Sequence, residues 1–218
     1  SPGDVAGIAF GAASSFAYTK SSIAHERTTS YGLGDLVFLV NNDQDSTLVN
    51  STDERMRIRR DGIIRMPNQC GFHMVHDGNS GNLTSNMMVA NWDTDASHSK
   101  SYVKNCSFNS GRFVAPVDGL YFFTAQLLLM QVANTDDSIH LIWTTGSSNT
   151  NFSYWNTRHA GESANGSYGY GGYLPVTGSI TVYLSAGDIF GIKISGSGTV
   201  QAYGTDSNWG HWSGYLVG

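Results

Sequence analysis

Short runs in which apolar and polar residues alternate, separated by Gly, Asn, Asp and Ser, fill this chain from end to end. Side chains of a strand point to opposite faces in turn, so a period of two predicts β-strands with one face buried. In the first 66 residues the pattern predicts strands over Val5–Phe10, Ser22–Arg27, Asp35–Val40 and Arg55–Ile64. Turns fall at Tyr31-Gly32-Leu33-Gly34 and Asn41-Asn42-Asp43. Arg55-Met56-Arg57-Ile58-Arg59 sets Met56 and Ile58 on one face and the arginines on the other, as in a half-buried strand. Those arginines then face solvent or pair with Asp53, Glu54 and Asp61. From residue 67 on, strands are predicted over 71–76, 86–92, 101–108, 112–115, 120–130, 138–144, 152–158, 168–174, 179–184, 189–194, 199–203 and 211–217. Such short strands with turns between them suit a jelly-roll β-sandwich. The fold class is therefore all-β, and no stretch has the period of a helix of ordinary length.

One run is unusually specific. Phe113-Val114-Ala115-Pro116-Val117-Asp118-Gly119-Leu120-Tyr121-Phe122-Phe123 reads F-x-A-P-x-x-G-x-Y-x-F. Phe113 and Ala115 share a strand face, Pro116 stops the strand, and Asp118-Gly119 turns the chain. Tyr121, Phe123, Ala125, Leu127 and Leu129 then continue one apolar face, while Phe122, Leu128 and Met130 make the opposite face partly apolar. A strand apolar on both faces needs two partners, the core and a neighbouring subunit. Later, Gly187-Asp188 precedes Ile189, Gly191 and Lys193, and the last strand reads Trp212-Ser213-Gly214-Tyr215-Leu216-Val217.

These two matches, in this order, resemble the globular head of complement subcomponent q, a jelly roll related to the tumour necrosis factor (TNF) fold. The resemblance covers roughly residues 67 to 218, and it implies a trimeric binding module rather than an enzyme. The family's collagen stalk of Gly-X-Y triplets is missing from residues 1 to 66.

Those first residues carry a second resemblance. Ile23-Ala24-His25-Glu26-Arg27, Gly32 to Asn41 and Glu54 to Gly62, followed by Met66-Pro67-Asn68-Gln69, are similar to the distal shaft of bacteriophage tail fibres and its junction with the tip. This implies two domains, a β-rich trimeric shaft segment over 1–66 and a complement-q-like jelly-roll tip over 67–218. Sixty-six residues of short strands bury little apolar surface alone, which agrees with three chains sharing one core.

Composition narrows the function. Charged residues make up 13%, Gly numbers 26 and Pro 4, the profile of a compact β protein with many tight turns. A net charge of −5 argues against nucleic-acid or anionic-membrane partners. Apolar runs such as Leu127-Leu128-Leu129-Met130 are far too short to span a membrane. Ser1-Pro2-Gly3 reads as a cloning remnant, and the chain as the C-terminal part of something longer. Cys70 and Cys106 leave two readings open, a single bridge or buried free thiols, with the second preferred. The Asn-x-Ser/Thr sequences at Asn50, Asn82, Asn105, Asn151 and Asn165 are read as chance in so Asn- and Ser-rich a chain.

Aromatic side chains near amides suit the apolar face and polar edge of a sugar, and equally suit adaptable protein contacts. The candidate receptor-binding residues are Tyr154, Trp155, Arg158, His159, Tyr170, Trp209 and His211. Trp212 is read as core packing. Asp136 and Asp137 are candidate calcium ligands, since three copies around an axis supply oxygens that one chain lacks. Asp93 with Asp95 forms a second acidic pair. No cofactor is required, and calcium is the one ion considered. No nucleophile elbow, phosphate loop or zinc motif is present, so no enzyme is expected.

Together these readings predict a tail-fibre tip on the virion, acting outside the cell as a homotrimer. It would attach to a carbohydrate or protein receptor on the bacterial surface and join other tail proteins through a preceding segment. A secreted eukaryotic complement-q-like binding protein and a virion decoration protein without a receptor are the alternatives.

Overall fold

Most of the alternating runs become strands. The structure, a computed structural model, describes residues 5–11, 19–78, 80–94, 96–133, 138–159, 173–196, 199–204 and 209–218. The chain divides into two units, Ser1–Asn68 and Gln69–Gly218.

Unit 1 is one antiparallel sheet in chain order: β1 (Val5–Gly11), β2 (Thr19–Arg27), β3 (Gly34–Val40), β4 (Glu54–Ile58) and β5 (Ile64–Arg65). One face holds a small core of Ala24, Val37 and Leu39, covered by Val49, whose N–H donates to Thr19 O at 2.9 Å. On the other face Ile8, Ile23, Phe38 and Met56 lie directly opposite one another across four strands. Ile8 is 68% exposed and Ile23 37%. This row has no cover among the described residues of unit 1.

Two expectations change here. The run 55–64 is a hairpin rather than one strand, because Gly62, with φ +83°, turns the chain and Arg59 N–H donates to Ile63 O. Arg57 pairs with Glu54, one of its expected partners, but gains two carboxylates that the sequence did not suggest, Glu26 and Asp35. It pairs directly with Val37, so it lies on the covered face, where three carboxylates neutralise it. Its guanidinium reaches Glu54 and Glu26 at 2.6 Å and Asp35 at 2.9 Å. Arg59 pairs with Asp61 at 3.2 Å, as the sequence predicts, whereas Asp53 accepts Asn50 N–H at a 3-10 turn.

Unit 2 holds β6 (Gly71–Val75), β7 (Tyr102–Lys104), β8 (Ser107–Asn109), β9 (Arg112–Val114), β10 (Gly119–Ala133), β11 (Ser138–Thr145), β12 (Thr150–His159), β13 (Tyr173–Leu184), β14 (Ile189–Gly196), β15 (Thr199–Ala202) and β16 (His211–Leu216). One sheet runs β13-β10-β16-β6-β7, with β15 also on β10; the other runs β12-β11-β14-β9-β8. From β9 onward most connections cross between the sheets, which makes a jelly roll. Their inner faces meet in one aromatic core. Phe72, Phe113, Tyr121, Phe123, Trp143, Phe190 and Trp212 are buried there, with Phe123 stacked on Phe190 at 4.7 Å. Burial of each ring contributes roughly 2–3 kcal/mol.

The two sequence signatures of this unit meet in space. Ala115 N–H donates to Asp188 O at 2.9 Å and Gly187 N–H donates to Ala115 O at 2.8 Å. Gly187 has φ +87°, a conformation that glycine adopts without strain. Asp118 accepts Ala186 N–H at 2.7 Å, so its carboxylate closes the same corner. Pro175 is tolerated within β13 because that strand is a sheet edge.

Three strand expectations differ. Residues 86–92 make only isolated bridges, because Asn86 and Asn91 both take positive φ. The run 101–108 breaks into β7 and β8 at Asn105, φ 52°. Residues 179–184 continue without interruption from Tyr173 as one strand.

Candidate recognition surface

Unit 2 has a direction. The chain enters it at Gln69, beside Gly71, which pairs with Tyr215, itself opposite Phe122 near the start of β10. At the other end of the sandwich lie Met130 opposite Tyr173, Gln131 opposite Val200, and Ser138 opposite His159. Phe122 and Met130 are eight residues apart on one strand, about 27 Å at the usual strand rise. The strand ends that flank residues 134–137 and 160–172 are thus remote from where the chain enters.

The predicted contact residues divide between two places. Tyr154, Trp155, Arg158 and His159 belong to the backbone of β12, an edge strand. Leu141 pairs with Asn156 and Ile142 with Tyr154, so Trp155 is the extra residue of a β-bulge. Bulges bend an edge and re-aim the side chain they carry. Phe152 occupies a second bulge on the same strand and is exposed. Tyr170, Asp136, Asp137 and Asp95 lie outside the described residues.

Trp209 and His211 lie across the other sheet, before and within β16. Trp209 is 46% exposed and its ring lies 6.5 Å from that of Tyr203. His211 is half-buried, 5.4 Å from the His73 ring, and His73 Nδ1 is 2.7 Å from Ser213 Oγ. Burial, then the neighbouring His73, holds His211 below the usual imidazole value. Trp212, one residue on, packs in the core against Phe72 at 5.2 Å, the place the sequence gives it.

A third feature gathers around Asp93, which the sequence marks only as half of an acidic pair. A polar cleft of about 380 Å³ is lined by Asp77, Asn91, Trp92, Asp93, Thr94 and Ser97. Asp93 is its anchor: Oδ1 accepts Ser97 N–H at 3.0 Å and Oγ–H at 2.8 Å, and Oδ2 accepts His98 N–H at 2.9 Å. Trp92, whose indole N–H donates to Val89 O, is buried beneath. The cleft is tied to the Trp209 segment, since His76 N–H donates to Gly210 O and Asp77 N–H to Asn91 O, both at 2.8 Å. Of its lining the sequence marks only Asp93, as one of an acidic pair; the other members come together through the fold.

His76 sits between these segments. It is fully buried, edge-on to Trp92 at 5.2 Å, and neither ring nitrogen has a hydrogen-bond partner of good geometry among the described residues. Burial pushes its pKa down, while nearby backbone at Gly78 and Ala90 opposes that only in part. Among the described residues no group of three or more His, Cys, Asp or Glu is placed to hold a metal ion.

A comparison with solved structures decides the fold. Eiger TNF from S. frugiperda superposes with a TM-score of 0.52 at 10% identity, covering 69% of this chain and 94% of that one. The protein carries a TNF-like jelly roll. The matched share is about the size of unit 2, and the sheet orders above are its internal counterpart. No protein-family model matches the chain. No curated protein matches it either. The TNF-like jelly roll here has two sheets around a buried aromatic core, with the cleft and Trp209 beside one sheet and β12 at the edge of the other.

Proposed function

We propose that this protein is the receptor-binding tip of a bacteriophage tail fibre, a homotrimer that attaches the virion to its bacterial host. The observation that carries the reading is the polarity of unit 2. The chain enters the TNF-like jelly roll at one end, and the strand ends bearing Arg158 and His159 lie at the other. A jelly roll that receives the chain at one end leaves its other end free for contact, and this reading agrees with the resemblance of residues 23–69 to a fibre shaft.

Uncovered apolar faces support the trimer. In unit 1 the Ile8–Ile23–Phe38–Met56 row lies open. In unit 2 Phe122 and Tyr215 pair on the outward face of the β10 sheet, rings 5.5 Å apart, and Tyr183 beside them is 64% exposed. Two further copies of this chain are the occupants proposed, because the faces recur in both units and carry few charges. Three heads would turn weak single contacts into firm adsorption through effective concentration. The aromatic residues and the cleft's carboxylates, amide and hydroxyls suit a polyhydroxyl target such as a surface glycan.

The test is binding of the labelled full chain to a panel of bacterial strains, with and without calcium. Saturable staining of one group of strains, weakened by Trp209→Ala or Trp155→Ala in a protein of unchanged mass, is the expected result. Failure both to stain any strain and to compete with phage adsorption to a known host overturns it. Calcium dependence would bring Asp136 and Asp137 into the site.

A further inference from the structure

Cys70 and Cys106 are far apart in sequence, and one of them is buried. The fold nevertheless sets their sulfurs 2.7 Å apart. A bonded pair sits at roughly 2.05 Å, so closure requires a movement of well under an ångström. The local architecture explains the approach. β6 and β7 are antiparallel neighbours, with Gly71 opposite Lys104, so Cys70 and Cys106 flank the end of one ladder. Continued pairing would set Cys70 opposite Asn105. Asn105 instead takes φ 52°, and its side-chain amide donates to Gln69 O at 3.3 Å. That turn brings Cys106 level with Cys70.

We propose that Cys70 and Cys106 form an intrachain disulfide that locks the first strand of unit 2 when the protein meets an oxidising environment. The oxidant is a small-molecule disulfide such as oxidised glutathione. The Cys106 thiolate attacks one glutathione sulfur, the glutathione S–S bond breaks, and one glutathione thiolate leaves. Cys70 then gives up its proton and attacks Cys106 Sγ. The mixed disulfide breaks, the intrachain S–S bond forms, and the second glutathione thiolate leaves. Two protein thiols are oxidised, one glutathione disulfide is reduced to two thiols, and the protons pass to the thiolates released.

The roles follow from the surroundings. Cys106 is half-exposed and Cys70 is buried, so an external disulfide meets Cys106 first. The hydrogen bond between the two sulfurs, which either can donate, and the Gly71 N–H hold the Cys106 thiol below its usual value, while the same contact and burial push Cys70 up. Cys106 is thus the nucleophile and Cys70 the resolving thiol. The position gives the bond its consequence. The cross-link would hold the start of β6 against the end of β7, beside the point where Leu216 N–H donates to Cys70 O and Gln69 donates to Leu216 O at 2.7 Å, where the chain enters unit 2.

The full chain, purified under reducing conditions, is equilibrated with glutathione buffers of rising oxidised fraction. Intact mass and thiol titration are read in parallel. The expected result is loss of two hydrogens per chain, disappearance of both thiols, and a peptide linking Cys70 to Cys106. The oxidised form should melt higher than the reduced by roughly 5–10 °C. Cys70→Ser should trap one glutathionyl group on Cys106, whereas Cys106→Ser should stay unmodified while folded. Two titratable thiols in the folded wild type at full oxidation would overturn the proposal, as would links between chains only. Neither outcome touches the receptor-binding reading, whose test is adsorption to cells.

Discussion

Gly214 lies directly across the β16–β10 ladder from Phe123, and a methyl group added to it would come 2.5 Å from the Phe123 ring. The Phe72 ring closes the same space from the other side at 2.7 Å. The glycine of the aromatic-Ser-Gly-aromatic run is therefore a packing requirement of the aromatic core. Gly214→Ala should destabilise unit 2 by about 2–3 kcal/mol, since overpacked cores lose that much through forced rotamers and backbone shifts. Gly71→Ala, where the new methyl meets Tyr215 Cβ at 3.7 Å and Gly214 O at 3.8 Å, both ordinary contacts, serves as the control. Urea unfolding of both variants measures the difference, and equal midpoints would refute the packing account.

That glycine shows what the sequence discloses and what it hides. Period-two alternation located nearly every long strand, because burial on one face leaves a linear trace. The F-x-A-P and Gly-Asp signatures could be read separately, but the bonds joining Ala115 to Gly187 and Asp188 belong to the fold. The failures share one cause. Asn86, Asn91 and Asn105 adopt positive φ, which no hydrophobic pattern records, and so two expected strands broke or vanished. The cleft was hidden for a related reason: Asp77, Asn91 and Ser97 converge only once those turns are made. Trp209 kept its expected place as an exposed aromatic of a loop, because nothing apolar flanks it in the chain.

Arg57 answers three carboxylates alone, so its loss leaves Glu26, Asp35 and Glu54 facing one another on a half-covered sheet. Arg57→Ala should destabilise unit 1 by about 1–2 kcal/mol at neutral pH, an ion-pair penalty reduced for partial exposure. The Arg57 guanidinium, then the Arg60 N–H, hold Asp35 below the usual carboxylate range. A depressed acid contributes stability above its unfolded pKa and loses it as pH falls through the folded one. The wild-type advantage over Arg57→Ala should therefore shrink as the pH drops from 7 toward 3, followed by thermal melts. A constant gap across that range would show that the guanidinium's charge is not what stabilises this sheet.

His76 and His211 both have pKa values lowered chiefly by burial. The unfolded chain then binds more protons than the folded one below about pH 6.5, so stability rises with pH there. It should be complete above that value and decline as acid drives the unfolded histidines to charge, continuing down to the folded values. Asp77 is the acidic neighbour that partly favours the charged His76. His76→Phe keeps an aromatic edge against Trp92 and removes the titrating group, so its melting temperature should vary less between pH 7.5 and pH 5. A wild-type melting temperature that stays level over that range would contradict the argument.

The open row on unit 1 gives the sharpest test of assembly. Ile23 and Phe38 face away from the Ala24–Val37–Leu39 core, so charging that face should leave the monomer's own packing intact. Phe38→Glu would set three like charges side by side if three chains meet along this row, and like charges directly opposed are destabilising. The wild type should sediment as a trimer at micromolar concentration and the variant as a smaller species, with the β-rich circular dichroism of unit 2 unchanged. A variant that kept the wild-type mass would clear this face of any role in assembly and leave the Phe122–Tyr215 face of unit 2 to supply the contact. A wild type that sedimented as a monomer would remove the trimer itself, and with it the multivalent mode of attachment.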